Sequence, residues 1–93
     1  MSRDRITDNK AQHQFEMPLD GGLAFVAYHR TGDVLALNHA EVPSAFEGQG
    51  IGGRLVKATL DEVRAQGLKV VPRCSFVRAY MRRHPEYNDL LAP

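Results

Sequence analysis

The sequence predicts an α/β fold of the α+β type, in which an antiparallel β-meander precedes a helix, a parallel strand and a C-terminal helix. Three observations predict it. Residues 1–42 contain strand-like alternation broken by turn sequences, residues 51–66 change to helical spacing, and a short apolar run follows at 68–72. The chain of 93 residues has no linker and no internal repeat, so residues 1–93 are expected to form one domain.

The meander is predicted from apolar residues that recur at every second position. Phe15, Met17 and Leu19 share one face of the first clear strand, and Pro18 is typical of an edge strand or a strand end. The predicted elements are strands at 13–19, Leu23–Arg30 and Val34–Val42, turns at Gly21-Gly22 and Thr31-Gly32-Asp33, an end at Pro43, and a short preceding strand that contains Ile6.

The first helix is predicted over Ile51–Gln66, with Gly67 just after its C-terminus. The strand at 68–72 should then run parallel to the strand at 34–42, because such strand–helix–strand connections are right-handed crossovers. The apolar side of the helix is predicted to contain Ile51, Leu55, Leu60 and Val63, flanked by Val56 and Thr59.

A second helix is predicted after the parallel strand, with Ser75 as its N-cap and its end before His84-Pro85. Tyr87 and Leu90 are expected to close the core beyond this helix. The residues expected to face inward from the helix itself are Phe76, Val77, Tyr80 and Met81.

The glycine-rich sequence Glu47-Gly48-Gln49-Gly50-Ile51-Gly52-Gly53 runs directly into the first helix. Without Cβ atoms, consecutive N–H groups can turn toward one anion at the helix N-terminus, which predicts a pyrophosphate site. A loop without a ligand is the simpler alternative. The pattern Gly48-x-Gly50-x-x-Gly53 also matches a dinucleotide fingerprint, but the preceding meander and the short chain do not suit that fold, and no P-loop Lys-Ser/Thr pair follows.

Polar side chains are expected where the two parallel strands end. With a period of two, Leu35, Leu37, His39 and Glu41 share one face, which becomes polar toward the end of its strand. The next strand ends at Pro72-Arg73-Cys74. Ligands of parallel α/β units bind beyond the carboxyl ends of strands, so these side chains are expected to converge beside the glycine loop.

Charge is unevenly distributed along the chain. Residues 1–48 carry four Lys/Arg against seven Asp/Glu, net −3, whereas residues 49–93 carry eight against four, net +4. A positive field suits a polyphosphate ligand, although a solvated basic face is the common alternative. The moderate pI and the lack of a nucleic-acid motif disfavour a nucleic-acid ligand. The basic residues expected near the loop are Arg54, Lys57, Arg73, Arg78, Arg82 and Arg83.

Cysteine count and hydropathy exclude several other classes. The single cysteine cannot form an intramolecular disulfide, no Cys/His spacing predicts a metal site, and no apolar run is long enough to span a membrane. We therefore expect a soluble cytoplasmic protein without a metal, present as a monomer or a weak dimer.

Several ordered motifs resemble the GNAT superfamily of acyl-CoA-dependent N-acetyltransferases. The superfamily signature is Gln/Arg-x-x-Gly-x-Gly/Ala at the start of the central helix, and Glu47-Gly48-Gln49-Gly50-Ile51-Gly52 fits it, except that Glu47 stands where Gln or Arg is usual. The chain is most similar to the compact single-domain GNAT-like subfamily, from about Phe15 to Leu90. The motifs that carry this resemblance are His39-Ala40-Glu41-Val42-Pro43, Gly48-Gln49-Gly50-Ile51-Gly52, Val71-Pro72-Arg73-Cys74-Ser75-Phe76 and Arg83-His84-Pro85-Glu86-Tyr87.

The resemblance implies that acetyl-CoA is the acetyl donor and lies in the opening between the two parallel strands. The backbone around Val42 would bind the pantetheine arm. Larger GNAT enzymes build the acceptor site partly from helices that precede the meander, and these are missing here, so the acceptor groove is expected to be shallow or completed by a partner. The residues implied to bind the pyrophosphate are Gly48, Gln49, Gly50, Ile51, Gly52, Gly53 and Arg54.

Three residues are candidates for catalysis. Cys74 is either a small buried hydrophobe or a thiolate that accepts the acetyl group from the thioester. His39 would be a base toward Cys74 or the amine, or else a structural residue, and Glu41 would orient His39 or relay a proton through water. The tyrosine acid of larger GNAT enzymes aligns with Met81, so the neighbouring Tyr80 is either a core residue or an acid.

The function implied by the resemblance is transfer of the acetyl group from acetyl-CoA to an amine, with the acceptor left open between a small amine, a peptide N-terminus and a lysine. One alternative is a non-catalytic acyl-CoA-binding or regulatory module with the same fold. Another is a basic protein-interaction or nucleic-acid-binding domain that has kept the fold.

Overall fold

The computed structural model describes residues 5–93, which form a five-stranded sheet with two α-helices. The strands are β1 (Thr7–Asn9), β2 (Gln14–Leu19), β3 (Gly22–Thr31), β4 (Val34–Glu41) and β5 (Lys69–Pro72), in that order across the sheet. The helices are α1 (Ile51–Ala65) and α2 (Ser75–Arg83), and 3₁₀ turns occupy Ser44–Phe46 and Pro85–Leu90. β1 to β4 are antiparallel and β5 pairs in parallel with β4, which confirms the predicted fold class.

Alternation along the strands buries one face of the sheet against both helices. Phe15 and Met17 of β2 are buried as predicted, and Leu19 is half-buried. The other face of the sheet, called the open face below, is covered by neither helix, and its side chains are exposed or half-buried. The helical part of the core is Ile51, Leu55, Val56, Thr59, Leu60 and Val63 from α1 with Val77, Tyr80 and Met81 from α2. Among residues 5–93 no helix is both long and apolar enough to cross a membrane.

The two helix boundaries differ in how well local signals predict them. Gly67 follows α1 with a φ of 70°, the left-handed conformation expected of a C′ glycine. The N-cap of α2 is Cys74 instead of the predicted Ser75, and it makes no side-chain capping bond. The prediction that Phe76 faces inward is also wrong, since its side chain is 42% exposed and packs over Gly52.

A β-bulge at Asn38 reverses which side chains at the end of β4 point toward the core. Tyr28 pairs with Leu37, but the preceding residue of β3 pairs with His39, so Asn38 is an extra residue on β4. Beyond the bulge, Ala40 packs against the core, while His39 and Glu41 lie on the open face. The predicted shared face of Leu35, Leu37, His39 and Glu41 is therefore wrong, because one inserted residue shifts the period-two alternation.

Candidate functional site

The two parallel strands separate at their carboxyl ends. Pairing between β4 and β5 ends at Leu37 and Pro72. The carbonyl of Leu37 then accepts hydrogen bonds from the amides of Arg73 (3.1 Å) and Cys74 (2.9 Å), where the chain turns into α2. Over residues 38–41, β4 continues with no β5 partner in the described part of the chain. The separation leaves an opening between the strand ends.

The N-terminus of α1 presents backbone amides that have no hydrogen-bond partner within residues 5–93. Its first helical hydrogen bond runs from the amide of Arg54 to the carbonyl of Gly50 (3.3 Å), and the amides of Ile51, Gly52 and Gly53 bond to nothing within residues 5–93. Gly50 is the N-cap and has no side chain to cap them, and the first turn contains no acidic residue. Free amides and the helix dipole together favour an anion at this point.

The glycines keep these amides uncovered. Gly48 and Gly50 have φ values of 80° and 74°, and a Cβ on either would meet no atom within 4 Å. Their glycine identity is therefore explained by backbone conformation and not by contacts inside the protein. A Cβ on Gly53 would reach ordinary contact with Tyr80 at 3.8 Å. The geometry of this turn fits a pyrophosphate, because open space adjoins several unpartnered donors.

Phe76 fixes the position of this helix terminus relative to β5. A Cβ on Gly52 would lie 2.7 Å from Phe76 Cζ, so the ring rests directly on the first turn of α1. Phe76 is only two residues beyond Cys74, where the chain has just left β5. The free amides of α1 consequently lie beside the opening between the strand ends.

The basic residues predicted near the loop do not act as one cluster. Arg78 Nη1 donates to the carbonyls of Pro72 (3.3 Å) and Arg73 (2.8 Å), so its guanidinium is bound to the backbone at the end of β5. Lys57 Nζ bonds to Asp61 at 2.9 Å. The Arg73 guanidinium, in contrast, is exposed and has no hydrogen bond or ion pair within residues 5–93. Arg82 and Arg83 lie in the last turn of α2, away from the first turn that meets Gly52.

Cys74 occupies the turn from β5 into α2. Its carbonyl accepts a hydrogen bond from the Arg78 amide at 3.0 Å. The thiol side chain is half-buried and packs against the core cluster. This position suits a small core residue at the edge of the opening.

His39 and Glu41 form a pair on the open face. His39 Nε2 and Glu41 Oε1 are 3.1 Å apart, and both side chains are more than half exposed. The His39 ring also meets the Phe25 ring edge-on, with centroids 6.1 Å apart. No hydrogen bond joins His39 to Cys74 within residues 5–93, and Cys74 packs against the core whereas His39 lies on the open face. The geometry does not support His39 as a base toward Cys74.

A groove runs along the open face to the point where β4 and β5 separate. Its volume is about 420 Å³, within the range of small-ligand pockets. Asn38 follows Val34 and Ala36 on this face by period two, and the sequence analysis did not single it out as a candidate site residue. The groove is lined by His29, Thr31, Val34, Ala36, Asn38, Val71 and Arg73.

Tyr80 is a core residue in this structure. Its side chain is 6% exposed and its ring stacks on His84, with centroids 4.1 Å apart and planes 20° apart. Burial raises the pKa of the Tyr80 hydroxyl above its ordinary value. Met81, beside it, is 4% exposed. The nearby Tyr87 is also buried as predicted, and its hydroxyl donates to Asp61 at 2.7 Å.

Comparison with known proteins gives a family match and a fold match. The model of the GCN5-related N-acetyltransferase family matches residues 14–90. Protein NATD1 from Mus musculus and from Homo sapiens are each 33% identical to the chain over 94 residues, covering 96% of it and 86% and 83% of the relatives. The NMR solution structure of a GCN5-like protein from Staphylococcus aureus is similar with a TM-score of 0.70 and 26% identity, covering 99% of this chain and 91% of that one.

Proposed function

The chain belongs to the GCN5-related N-acetyltransferase family, and on that basis we propose that it transfers the acetyl group of acetyl-CoA to an amine. The observation that carries the proposal is the set of amides at the N-terminus of α1 that lack a partner in the described part of the chain, next to the opening between β4 and β5. The phosphates of the donor can bind at the helix N-terminus, and its acyl arm can enter the opening between the strands.

The pyrophosphate of CoA binds the first turn of α1. The amides of Gln49, Ile51, Gly52 and Gly53 supply donors, and the helix dipole supplies favourable potential. Gly48 and Gly50 hold the loop in its left-handed conformation and leave space for phosphate oxygens. Arg54, in the same turn, adds positive charge.

The pantetheine arm enters between β4 and β5. Here the backbone of residues 38–42 has lost its β5 partner, so its polar groups are available to the amide groups of the arm. Val42 is half-buried at the end of this segment. The thioester is thereby delivered to the open face, where an acceptor amine can approach from solvent.

The chemistry requires an attacking amine and one proton transfer. The amine nitrogen attacks the thioester carbon, the C–S bond breaks, and CoA leaves as a thiolate that takes up the proton lost by the amine. If His39 donates its Nε2–H to Glu41, its Nδ1 is left as an acceptor that can take the amine proton through water. Glu41 then orients the imidazole and stabilises its charged form.

Cys74 offers a covalent alternative for the same reaction. In that route the thiolate of Cys74 takes the acetyl group from the CoA sulfur, and the amine then takes it from Cys74. The half-buried side chain lies at the edge of the opening, but lacks a described contact with His39. The geometry therefore supports direct transfer better than the covalent route.

A matched pair of substitutions on one helix tests the proposal. Gln49→Glu adds a negative charge at the N-terminus of α1, which the helix dipole tolerates but bound phosphate does not. Gln66→Glu makes the same change at the C-cap, roughly 24 Å away at the rise of an α-helix and beyond the screening length of physiological salt.

We expect Gln49→Glu to weaken CoA binding about tenfold in calorimetry, equivalent to roughly 1.4 kcal/mol, whereas Gln66→Glu should change it less than twofold. Transfer assays with acetyl-CoA and a mixture of amines complete the test. If both variants bind CoA like the parent protein, the pyrophosphate does not lie on α1.

A non-catalytic acyl-CoA-binding module is the second candidate, and the state of Tyr80 and Met81 favours it. Met81 is buried where larger relatives are expected to place a tyrosine acid, and Tyr80 is packed against His84. Tight CoA binding without transfer to any amine would establish this alternative.

A further inference from the structure

We propose that the acetyl acceptor is a small amine that carries an anionic group, a carboxylate or a phosphate, and that Arg73 binds this group in the groove of the open face. The inference rests on the proposed acetyl transfer and names the substrate class for the same site. It depends on the charge, the position and the size of the groove.

The charge of the groove lining is positive. Of its seven residues, Arg73 alone carries a permanent charge, and none is acidic. The other polar members, His29, Thr31 and Asn38, offer hydrogen-bond donors and acceptors. A groove of this composition attracts an anion and repels a polycationic amine.

Unlike Arg30, Arg64 and Arg78, Arg73 has no side-chain partner within residues 5–93. Arg30 bonds to the carbonyl of Gly32 at 2.8 Å, and Arg78 bonds to the two carbonyls at the end of β5. Arg64 is tied to Asp89. The Arg73 guanidinium has no such bond in the part of the chain that the structure describes, so its planar set of donors remains available for a carboxylate or phosphate.

The position of Arg73 places the anion close to the chemistry. Its amide bonds to the carbonyl of Leu37, where β4 and β5 separate and where the thioester is proposed to emerge. In an acceptor whose anionic group is bound by Arg73, the reacting amine nitrogen is therefore expected to lie only a few covalent bonds from that group. His39 and Glu41, on the same open face, lie on the strand that carries Asn38 and can reach the amine through water.

The size of the groove sets an upper limit on the acceptor. A volume of about 420 Å³ is at the small end of ligand pockets. The open side of the sheet has no second layer in the described residues that would enclose a larger molecule. A compact amino acid or phosphorylated amino alcohol fits these limits. Glycine is a suitable probe for a carboxylate, and phosphoethanolamine is a suitable probe for a phosphate.

The experiment compares acceptors that carry an anionic group with related acceptors that lack it. With acetyl-CoA as donor, glycine is compared with glycinamide, phosphoethanolamine with ethanolamine, and spermidine serves as the polycationic probe. We expect kcat/KM for the better anionic amine to exceed that of its neutral counterpart at least tenfold, with the least transfer to spermidine. The two pairs also distinguish a carboxylate from a phosphate.

Arg73→Gln should remove this preference while leaving CoA affinity within about threefold of the parent protein. Lys10→Gln removes one positive charge from an exposed turn that does not line the groove, and should keep the preference. If CoA binds and transfer occurs, but neutral amines or spermidine react as well as anionic ones, the inference is overturned while the proposed function stands. Loss of CoA binding in Arg73→Gln, or no transfer to either anionic amine, also overturns it. No CoA binding by the parent protein would overturn both proposals.

Discussion

The ring of Phe76 rests on Gly52, so that a Cβ at position 52 would lie 2.7 Å from Phe76 Cζ. This contact joins the first turn of α1 to the first turn of α2. It also explains a glycine inside a helix, where glycine ordinarily costs roughly 1 kcal/mol relative to alanine. Because Phe76 is 42% exposed, the ring can move toward solvent at the cost of this contact.

A double-mutant cycle measures the Phe76–Gly52 contact. In a Phe76→Ala background, Gly52→Ala should stabilise the protein by about 0.5–1 kcal/mol through helix propensity. In the parent background the same substitution must displace the ring, so this gain should disappear. Urea unfolding gives the coupling energy, expected to be about 1 kcal/mol. Additive effects would mean that the ring does not constrain position 52.

The hydrogen bond between Tyr87 and Asp61 should contribute to the free energy of unfolding by an amount that depends on pH. Burial acts to raise the pKa of Asp61, but the hydrogen bonds from Tyr87 and Lys57 outweigh it, so the pKa lies below its ordinary value of 3.8. A depressed carboxyl pKa gives stability that is present above the unfolded-state pKa and is lost as pH falls through the folded-state value.

Tyr87→Phe removes the hydroxyl that donates to Asp61. It should destabilise the protein by about 1 kcal/mol at pH 7, and the difference should shrink below roughly pH 4, as Asp61 becomes protonated. Tyr80→Phe is the control, because the Tyr80 hydroxyl has no hydrogen bond within the described residues. Thermal unfolding between pH 3 and pH 7 measures both. A Tyr87→Phe difference that stays constant with pH would show that Asp61 is not the partner.

His39→Gln should lower kcat for acetyl transfer by about 10²-fold, while the KM for acetyl-CoA stays nearly constant. Glu41→Gln should lower kcat less, about fivefold to tenfold, because it removes the negative charge beside His39 but keeps an acceptor oxygen and leaves the imidazole in place. A kcat in His39→Gln equal to that of the parent protein would exclude His39 as the base.

Cys74→Ala separates direct from covalent transfer. Because Cys74 packs against the core and has no hydrogen bond to His39 in the described residues, we expect turnover within about threefold of the parent protein and a stability loss of about 1 kcal/mol from packing. Mass spectrometry after incubation with acetyl-CoA alone supplies the second readout. An acetyl adduct on Cys74, together with lost turnover in the alanine variant, would establish the covalent route instead.

Periodicity predicted the elements that are defined by local pattern. Phe15, Met17 and the apolar face of α1 are all buried in the core. They were predictable because a strand or helix that buries one face has apolar residues at a regular spacing. The left-handed Gly67 after α1 has the same local origin.

Features that depend on contacts between distant elements were not predictable. The bulge at Asn38 is fixed by the register between β3 and β4, and no residue near it signals an insertion. Phe76 packs over Gly52 instead of entering the core, and Gly52 lies on the other helix. The local spacing of α2 therefore contains no signal for this contact. The groove combines residues of three strands, so only Arg73 could be proposed beforehand, and then only as part of a general positive field.

An NMR titration of the ¹⁵N-labelled protein with CoA, compared with pantetheine, which lacks the pyrophosphate, tests whether α1 binds the pyrophosphate. We expect CoA to shift the amides of residues 49–53 most strongly, together with those of 38–42, and pantetheine to shift only the second group. If the amides of residues 49–53 do not move at saturating CoA, or move equally with pantetheine, α1 does not bind the pyrophosphate and the central claim is wrong.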